Sequence, residues 1–237
     1  MTIQVALHHK SHYVFDRPVV ISPHDIRLRP AAHSRTPVSS YSLTIKPATH
    51  FVHWQQDVYG NFVARITFPK PAKTIEIDVD LIADMTIINP FDFFVETWAE
   101  HFPFTYPAHL KAELAPFLAI TEKGERLQAW LAQFLSSLPS TITTTHFLVH
   151  LNQAIHGDIN YLIRLEAGVQ TSEETLEKQS GSCRDSAWLL VQILRHVGIA
   201  ARFVSGYLIQ LAADEKPLDG PAGTERDFTD LHAWCEA

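Results

Sequence analysis

The spacing of apolar residues changes once along the chain of 237 residues, and this change constrains the fold more than any other feature. Up to about residue 85, apolar and polar residues alternate, which is the pattern of strands with one buried and one wet face. The run from Ile75 to Leu81 alternates with acidic residues, and Tyr59-Gly60-Asn61 marks a hairpin turn before another alternating run. We therefore predict an antiparallel β-sandwich over residues 1–85.

From about residue 110 the apolar spacing becomes helical. Leu127, Trp130, Leu131 and Phe134 lie at i, i+3, i+4 and i+7, and we expect Thr121 to cap this helix. Further elements are predicted in chain order: a helix around 148–155, a helix opened by the capping box at 171–174 and ending near Gly181, a helix over 183–197, a strand over 200–211, a polar loop over 212–229 and a final strand from Asp230.

Helices followed by strands predict an α+β domain over residues 111–237, with residues 86–110 as the connecting segment. The tryptophans of this domain, Trp130, Trp188 and Trp234, are interpreted as core residues. The fold class is therefore α+β, with an N-terminal sandwich and a mixed second domain.

Charge and composition exclude several classes of protein. Lys and Arg number 19 against 26 for Asp and Glu, so there is no basic excess to bind nucleic acid. No apolar run approaches the length of a membrane-spanning helix, and the first residues show no signal-peptide pattern. Two cysteines suit a reducing compartment, so we predict a cytoplasmic protein without nucleic-acid or membrane partners.

The segment from Gly181 to Ala187 carries the clearest chemical signal. A helical apolar stripe follows Cys183, which places this thiol on the first helical turn. Unpaired backbone N–H groups and the positive end of the helix dipole meet there, and both favour a thiolate. The same N–H groups can stabilise an oxyanion on an attacked carbonyl. The alternative is that Cys183 is a small core residue.

A thiolate nucleophile needs a base, and His232 is the best candidate among the 14 histidines. On a strand, His232, Trp234 and Glu236 share one face, whereas Cys235 lies on the other. We therefore interpret Cys235 as a structural thiol. Three histidines near the N-terminus show no recognised metal-ligand spacing, so no metal site is predicted.

Three ordered motifs resemble the transglutaminase-like core, which belongs to a papain-like superfamily with a Cys-His-Asp triad: Gly181–Ala187, Leu194–Tyr207 and His232–Trp234. The first 85 residues, notably Pro23–Pro30 and Trp54–Asp57, resemble the β-rich N-terminal domain attached to bacterial members. The resemblance implies a papain-like cysteine-enzyme core after the sandwich, with Cys183 as nucleophile and His232 as base.

Two further residues match positions of this family. Tyr161 follows an asparagine before the core motif, and we expect it either to line the cleft or to fill it. Asp185 matches the acid two residues after the cysteine, and we expect it to cap the helix, with a contribution to catalysis or the oxyanion site as the alternative.

The triad acid of the family lies on the strand after the histidine strand, and this chain stops at Ala237. Asp230 lies on the same strand as His232, about 7 Å away, which is too far for the required hydrogen bond. Either the core is truncated at its C-terminus and is part of a longer polypeptide, or the triad is broken. We expect the truncation, with weak activity or none in this chain. Its unpaired final strand would favour self-association.

The predicted function is cysteine-dependent acyl transfer on peptide or carboxamide bonds through a thioester, with a protein or peptide as substrate. The residues leave open whether water or a second amine resolves the thioester, so both a protease or amidase and a transglutaminase remain candidates. No metal or organic cofactor is implied. The alternative is a non-catalytic peptide- or protein-binding module on the same scaffold.

Overall fold

The alternating strands form the first of two compact units, Met1–Asp92 and Phe93–Ala237. The computed structural model describes residues 3–86, 89, 93–212 and 224–237. The strands of the first unit are β1 (Ile3–Val19), β2 (His24–Ile26), β3 (Val38–Lys46), β4 (Phe51–Gln56), β5 (Phe62–Thr67) and β6 (Ala72–Met85).

These strands form two antiparallel sheets with the orders β1-β6-β3 and β2-β5-β4. Ile45, Ile75 and Ile77 of the first sheet share one core with Ala64 and Ile66 of the second. Because strand residues alternate between faces, one row from each sheet meets in this core and the other row faces water. The predicted antiparallel sandwich is confirmed.

The predicted hairpin joins β4 to β5 across the turn at residues 57–61. Gly60 adopts a φ of +84°, a left-handed conformation that glycine reaches without steric cost. Asp57 closes the turn, because its carboxylate accepts hydrogen bonds from the backbone N–H groups of Tyr59 and Asn61.

Several elements precede the central helix of the second unit. They are a 3₁₀ turn (Thr97–Ala99), β7 (His101–Phe102), α1 (Ala108–Glu113), α2 (Ala115–Leu118), α3 (Glu125–Ser137), β8 (Ile142–Thr143), α4 (Thr144–Asp158), β9 (Asn160–Tyr161), α5 (Ser172–Lys178) and β10 (Ser180–Gly181). The central helix α6 (Cys183–His196) and the antiparallel hairpin of β11 (Arg202–Gln210) and β12 (Phe228–Glu236) follow.

The helix α6 forms the centre of the second core. Its residues Leu189, Val191, Ile193 and Leu194 are buried together with side chains of α3 and α4. The hairpin packs against α6 through β12. The apolar residues after Cys183 are therefore buried against several neighbouring elements. This burial explains why the observed helix, Cys183–His196, agrees closely with the predicted helix over 183–197.

Three predicted boundaries are wrong. Helix α3 begins at Glu125 after Gly124, not behind Thr121, because the Glu173 carboxylate of α5 accepts the N–H groups of Arg126 and Leu127. Helix α5 keeps its predicted capping box but ends at Lys178, before a left-handed Gln179, not near Gly181.

The third boundary concerns the predicted loop over 212–229. Residues 213–223 lie outside the described residues, and Phe228 and Thr229 belong to β12, so the last strand begins two residues before Asp230. Among the helices of the described residues, none is both long and apolar enough to cross a membrane.

We predict that Glu173→Ala destabilises the fold by about 1 kcal/mol, the usual cost of removing a helix N-cap acceptor. Glu177→Ala is the matched control, because Glu177 lies on the same helix and, among the described residues, binds only the exposed guanidinium of Arg126. Its loss should cost less than about 0.5 kcal/mol. Urea unfolding of the two variants measures both values, and equal losses would contradict the capping role of Glu173.

Candidate functional site

The start of α6 is determined by the residues around Cys183. Ser182 precedes the helix in an extended conformation, and its N–H and hydroxyl groups both donate to Asp185 Oδ2 at 2.8 Å. A Cβ at Gly181 would lie 2.8 Å from Asp185 Cβ, so only glycine permits this close approach. The predicted capping role of Asp185 is confirmed in its geometry.

Asp185 is fully buried and binds more than its own helix. Arg164 donates to it from Nε at 2.9 Å and from Nη2 at 3.0 Å, and the N–H of Gln170 donates at 2.8 Å. Burial alone would raise the pKa of this carboxyl, but the hydrogen bonds from Arg164, Gln170 and Ser182 outweigh burial and hold the pKa well below its usual range. Asp185 is therefore an ionised, saturated acceptor.

The segment 164–170 is fixed beside the start of α6 by two arginines. Besides its bond to Asp185, Arg164 donates to the carbonyl oxygen of Gly168 at 2.9 Å. Arg184, the residue after Cys183, donates to the carbonyl oxygens of Arg164 at 2.9 Å and Glu166 at 3.0 Å. The sequence does not predict the pairing of Arg164 with Asp185 or of Arg184 with this segment, because these partners lie 18 to 21 residues apart without a recognisable local pattern.

Cys183 is the first residue of α6 and is partly buried. The N–H groups of Asp185 and Ser186 donate to the Ser182 carbonyl oxygen at 3.1 Å. Within the described residues, the N–H groups of Cys183 and Arg184 have no acceptor. Two free donors at the positive end of a helix therefore lie at the thiol, which is an arrangement that stabilises negative charge.

Tyr161 lies next to the segment that leads into Cys183. It pairs with Gly181 across the parallel strands β9 and β10, and the N–H of Leu162 donates to the Gly181 carbonyl oxygen at 3.0 Å. The side chain of Tyr161 is not a core filler, since the residue is 66% exposed. This exposure disagrees with the expectation that Tyr161 fills the cleft, and the expectation that it lines the cleft stays a prediction.

His232 lies in β12 opposite Gly206 of β11. Its neighbour Ala233 is buried and Cys235 packs against the core, so His232 and Trp234 belong to the other face of the hairpin. The expectation that Trp234 is a core residue is wrong: it is 38% exposed, and its ring covers Gly206, where a Cβ would come within 2.8 Å. Trp130 and Trp188 do pack against the core.

Cys183 begins α6 at one end of the helix. Near the other end, Arg195 donates to the Ala201 carbonyl oxygen at the entry to β11, and its charge acts on Cys235. Cys183 lies about 18 Å from Arg195 along the helix, and His232 lies about 10 Å from Cys235 along β12. None of the hydrogen bonds among the described residues joins the Cys183 thiol to the His232 imidazole.

The two thiols differ in their surroundings. Burial raises the pKa of Cys235 to about 12, and the nearby Arg195 charge offsets this only in part. A thiol with so high a pKa is almost entirely protonated at neutral pH, which agrees with its interpretation as a structural residue. The part of the chain that the structure describes contains no cluster of three or more His, Cys, Asp or Glu side chains suited to a metal ion.

Two family descriptions match this chain in the order of its two units. Residues 5–84 match the bacterial transglutaminase-like N-terminal region. Residues 131–237 match the transglutaminase-like superfamily, and this match includes Cys183, Asp185 and His232. Together the two matches confirm the resemblance that the sequence motifs indicate.

Similar proteins span most of the chain. Uncharacterized proteins of Mycobacterium bovis and Mycobacterium tuberculosis are 28% identical, over 96% of this chain and 71% of each relative. A crystal structure of a putative cysteine protease from Cytophaga hutchinsonii has a TM-score of 0.62 and 18% identity, over 100% of this chain and 74% of that protein. This similarity supports the fold of both units.

The buried ion pair gives a prediction for stability and its pH dependence. Asp185→Asn should lose about 3 kcal/mol at pH 7, because it leaves the Arg164 guanidinium without its buried charge partner. Since the folded-state pKa of Asp185 lies below the ordinary value of about 3.9, its contribution is present above that pH and is lost as the pH falls below it. The difference between wild type and variant should therefore shrink below about pH 4.

Glu166→Gln is the matched control, because Glu166 also contacts Arg164, at 3.8 Å, but its side chain is 73% exposed. This variant should stay within about 0.5 kcal/mol of wild type. Denaturant unfolding from pH 7 to pH 3 tests both expectations. A difference between wild type and Asp185→Asn that does not change with pH would contradict the ionised state of Asp185.

Proposed function

We propose that this chain, which belongs to the transglutaminase-like superfamily, is a cysteine-dependent acyl-transfer enzyme that acts on peptide or carboxamide bonds. The observation that most supports this proposal is the position of Cys183 at the start of a 14-residue helix. Two backbone N–H groups there have no acceptor among the described residues. The family and the cysteine-protease description of the similar Cytophaga hutchinsonii protein support a cysteine enzyme.

In the proposed reaction, the Cys183 thiolate attacks the carbonyl carbon of the substrate. A carbon–sulfur bond forms and the electron pair of the carbonyl moves to its oxygen, which the N–H groups of Cys183 and Arg184 can bind. The carbon–nitrogen bond then breaks, and the amine leaves with a proton supplied by the His232 imidazolium. The product of this half-reaction is a thioester on Cys183 and a free amine.

The second half-reaction restores the thiol. Water or a second amine attacks the thioester carbonyl, His232 accepts the proton of this nucleophile, and the carbon–sulfur bond breaks. Water yields a carboxylic acid and an amine yields a new amide. The first half-reaction is common to both outcomes, so the proposal covers a protease or amidase and a transglutaminase.

Asp185 and Tyr161 have different proposed roles. A fully buried, ionised carboxylate has no proton to donate to an oxyanion, so we assign Asp185 the role of a positioning residue that fixes the first turn of α6. Tyr161 is exposed beside Gly181, and we assign it to the surface that the substrate approaches.

The cytoplasmic location stays a prediction from the sequence.

The second candidate is a non-catalytic module that binds peptides. It is favoured by one observation, the lack of any hydrogen bond between Cys183 and His232 within the described residues. The candidates differ in the chemistry of the thiol. An enzyme requires a thiol that reacts faster than an ordinary cysteine near neutral pH, whereas a binding module requires none.

We predict that iodoacetamide at pH 6.5 alkylates Cys183 at least about tenfold faster than the small thiol N-acetylcysteine, because the helix N-terminus and the imidazole favour the thiolate. Cys235 should remain unlabelled until the protein unfolds, since burial raises its pKa to about 12. Peptide mass spectrometry after timed labelling separates the two rates. His232→Asn should slow the alkylation of Cys183, and His150→Asn, an exposed histidine of α4, is the matched control.

Two results would overturn the proposal. One is an alkylation rate of Cys183 in the folded protein that equals that of the small thiol, which would favour the binding module. The other is an equal effect of His232→Asn and His150→Asn, which would remove His232 from the proposed pair.

A further inference from the structure

The sandwich of the first unit is open along one side, between its edge strands β3 and β4. A groove of about 300 Å³ lies there, lined by Arg29, Tyr41, Leu43, Val52 and Trp54, and we refer to it as the β3–β4 groove. Both strands are edges: β3 ends the sheet β1-β6-β3 and β4 ends the sheet β2-β5-β4.

The groove exposes residues that belong to the inner face of the sandwich. Val52 pairs with Ile66 and Trp54 with Ala64, and both partners are buried in the core. Because paired residues share a face, Val52 and Trp54 also point toward the opposite sheet. They are nevertheless 37% and 46% exposed, so along this side the two sheets do not close over their own apolar residues.

The strand β4 lacks the features that usually protect a sheet edge. Its six residues, Phe-Val-His-Trp-Gln-Gln, are all exposed and include no lysine, no proline and no charged carboxylate. Its register with β5 has no bulge. The opposite edge strand of this sheet, β2, has only three residues. An edge that is regular and unprotected is a template for pairing with another extended chain.

Arg29 brings a positive charge to this groove. Its guanidinium lies 4.3 Å from the ring centroid of Phe62, 5.4 Å from that of Tyr41 and 5.6 Å from that of Trp54. These contacts order the side chain but leave the charge without an anion. Within the described residues Arg29 has no carboxylate partner.

Two neighbouring arginines of the same sheet region are already paired. Arg27 binds Asp57 at 3.4 Å, and Arg65 binds Asp25 at 3.0 Å. Neither β3 nor β4 carries an Asp or Glu residue. The groove therefore presents an ordered cation between two strands that carry no acid, and the two nearby carboxylates already bind other arginines, which together is the complement of an acidic ligand.

We propose that the β3–β4 groove binds an extended, acidic polypeptide segment that pairs with β4 and places a Glu or Asp side chain on Arg29. Alternate residues of such a segment point the same way, so an acidic side chain can meet Arg29 while apolar side chains two positions away contact Val52 and Trp54. The inference does not depend on the proposed function, because it involves no residue of the second unit.

The test uses the full chain of 237 residues and two fluorescein-labelled peptides. The first is Val-Thr-Glu-Thr-Val-Thr, and the second has Gln in place of Glu. By fluorescence anisotropy, wild type should bind the Glu peptide about tenfold more tightly than the Gln peptide, because a carboxylate–guanidinium bond replaces a neutral one. Raising the salt concentration should reduce this preference.

Arg29→Gln should abolish the preference, and Arg27→Gln, an exposed arginine two residues away that already has a carboxylate partner, should retain it. Circular dichroism verifies that both variants fold, and the comparison of the two peptides on wild type needs no variant. Equal binding of the two peptides by wild type, or a preference that survives Arg29→Gln, would overturn the proposal. A dimer of the chain that Arg29→Gln dissociates, without peptide binding, would overturn the acidic-peptide partner in favour of a second copy.

Discussion

The buried ion pair of Asp185 and Arg164 is the interaction on which the candidate site depends. A fully buried carboxylate must be paired and hydrogen-bonded, and Asp185 satisfies this through Arg164, Gln170 and Ser182. Each of these hydrogen bonds forms only when the segment that carries the donor is correctly positioned. The helix start at Cys183, the glycine at 181 and the segment 164–170 are therefore parts of one arrangement.

A second polar group holds the side of the same helix. The Glu122 carboxylate accepts the indole N–H of Trp188 and the backbone N–H of Ser172, both at 2.7 Å. The Gln192 side-chain oxygen, fully buried in α6, lies 3.3 Å from the N–H of Glu122. Both α5 and the segment before α3 are thus bound to α6 by polar contacts. These polar contacts form only when α5, the segment before α3 and α6 are correctly placed, so we infer that they specify where α6 lies.

The sequence predicts the elements that local chemistry determines. Alternation identifies the strands of the sandwich because one row of each strand is buried, and α6 is predicted within one residue because its cap and its apolar stripe agree. The start of α3 could not be predicted, since its N–H groups are accepted by Glu173, which lies on another helix. Thr121 is a residue type that often caps helices, but at the start of α3 the Glu173 carboxylate accepts the backbone N–H groups instead.

The candidate site shows the same division. The sequence predicts Cys183 at a helix N-terminus and Asp185 as its cap, because both follow from neighbouring residues. Arg164 was missed because its partner is 21 residues away, and Trp234 was misplaced because alternation cannot tell which face of a hairpin is covered. The open β3–β4 groove also follows only from how the two sheets meet.

The most direct test of the account is to trap the acyl intermediate on Cys183. The protein is incubated with p-nitrophenyl acetate, quenched in acid, digested and examined by mass spectrometry, with and without hydroxylamine, which cleaves thioesters. We predict a hydroxylamine-sensitive acetyl group on Cys183 that is absent from Cys235. Acetylation confined to lysine residues, with Cys183 unmodified, would contradict the claim that Cys183 is an acyl-accepting nucleophile.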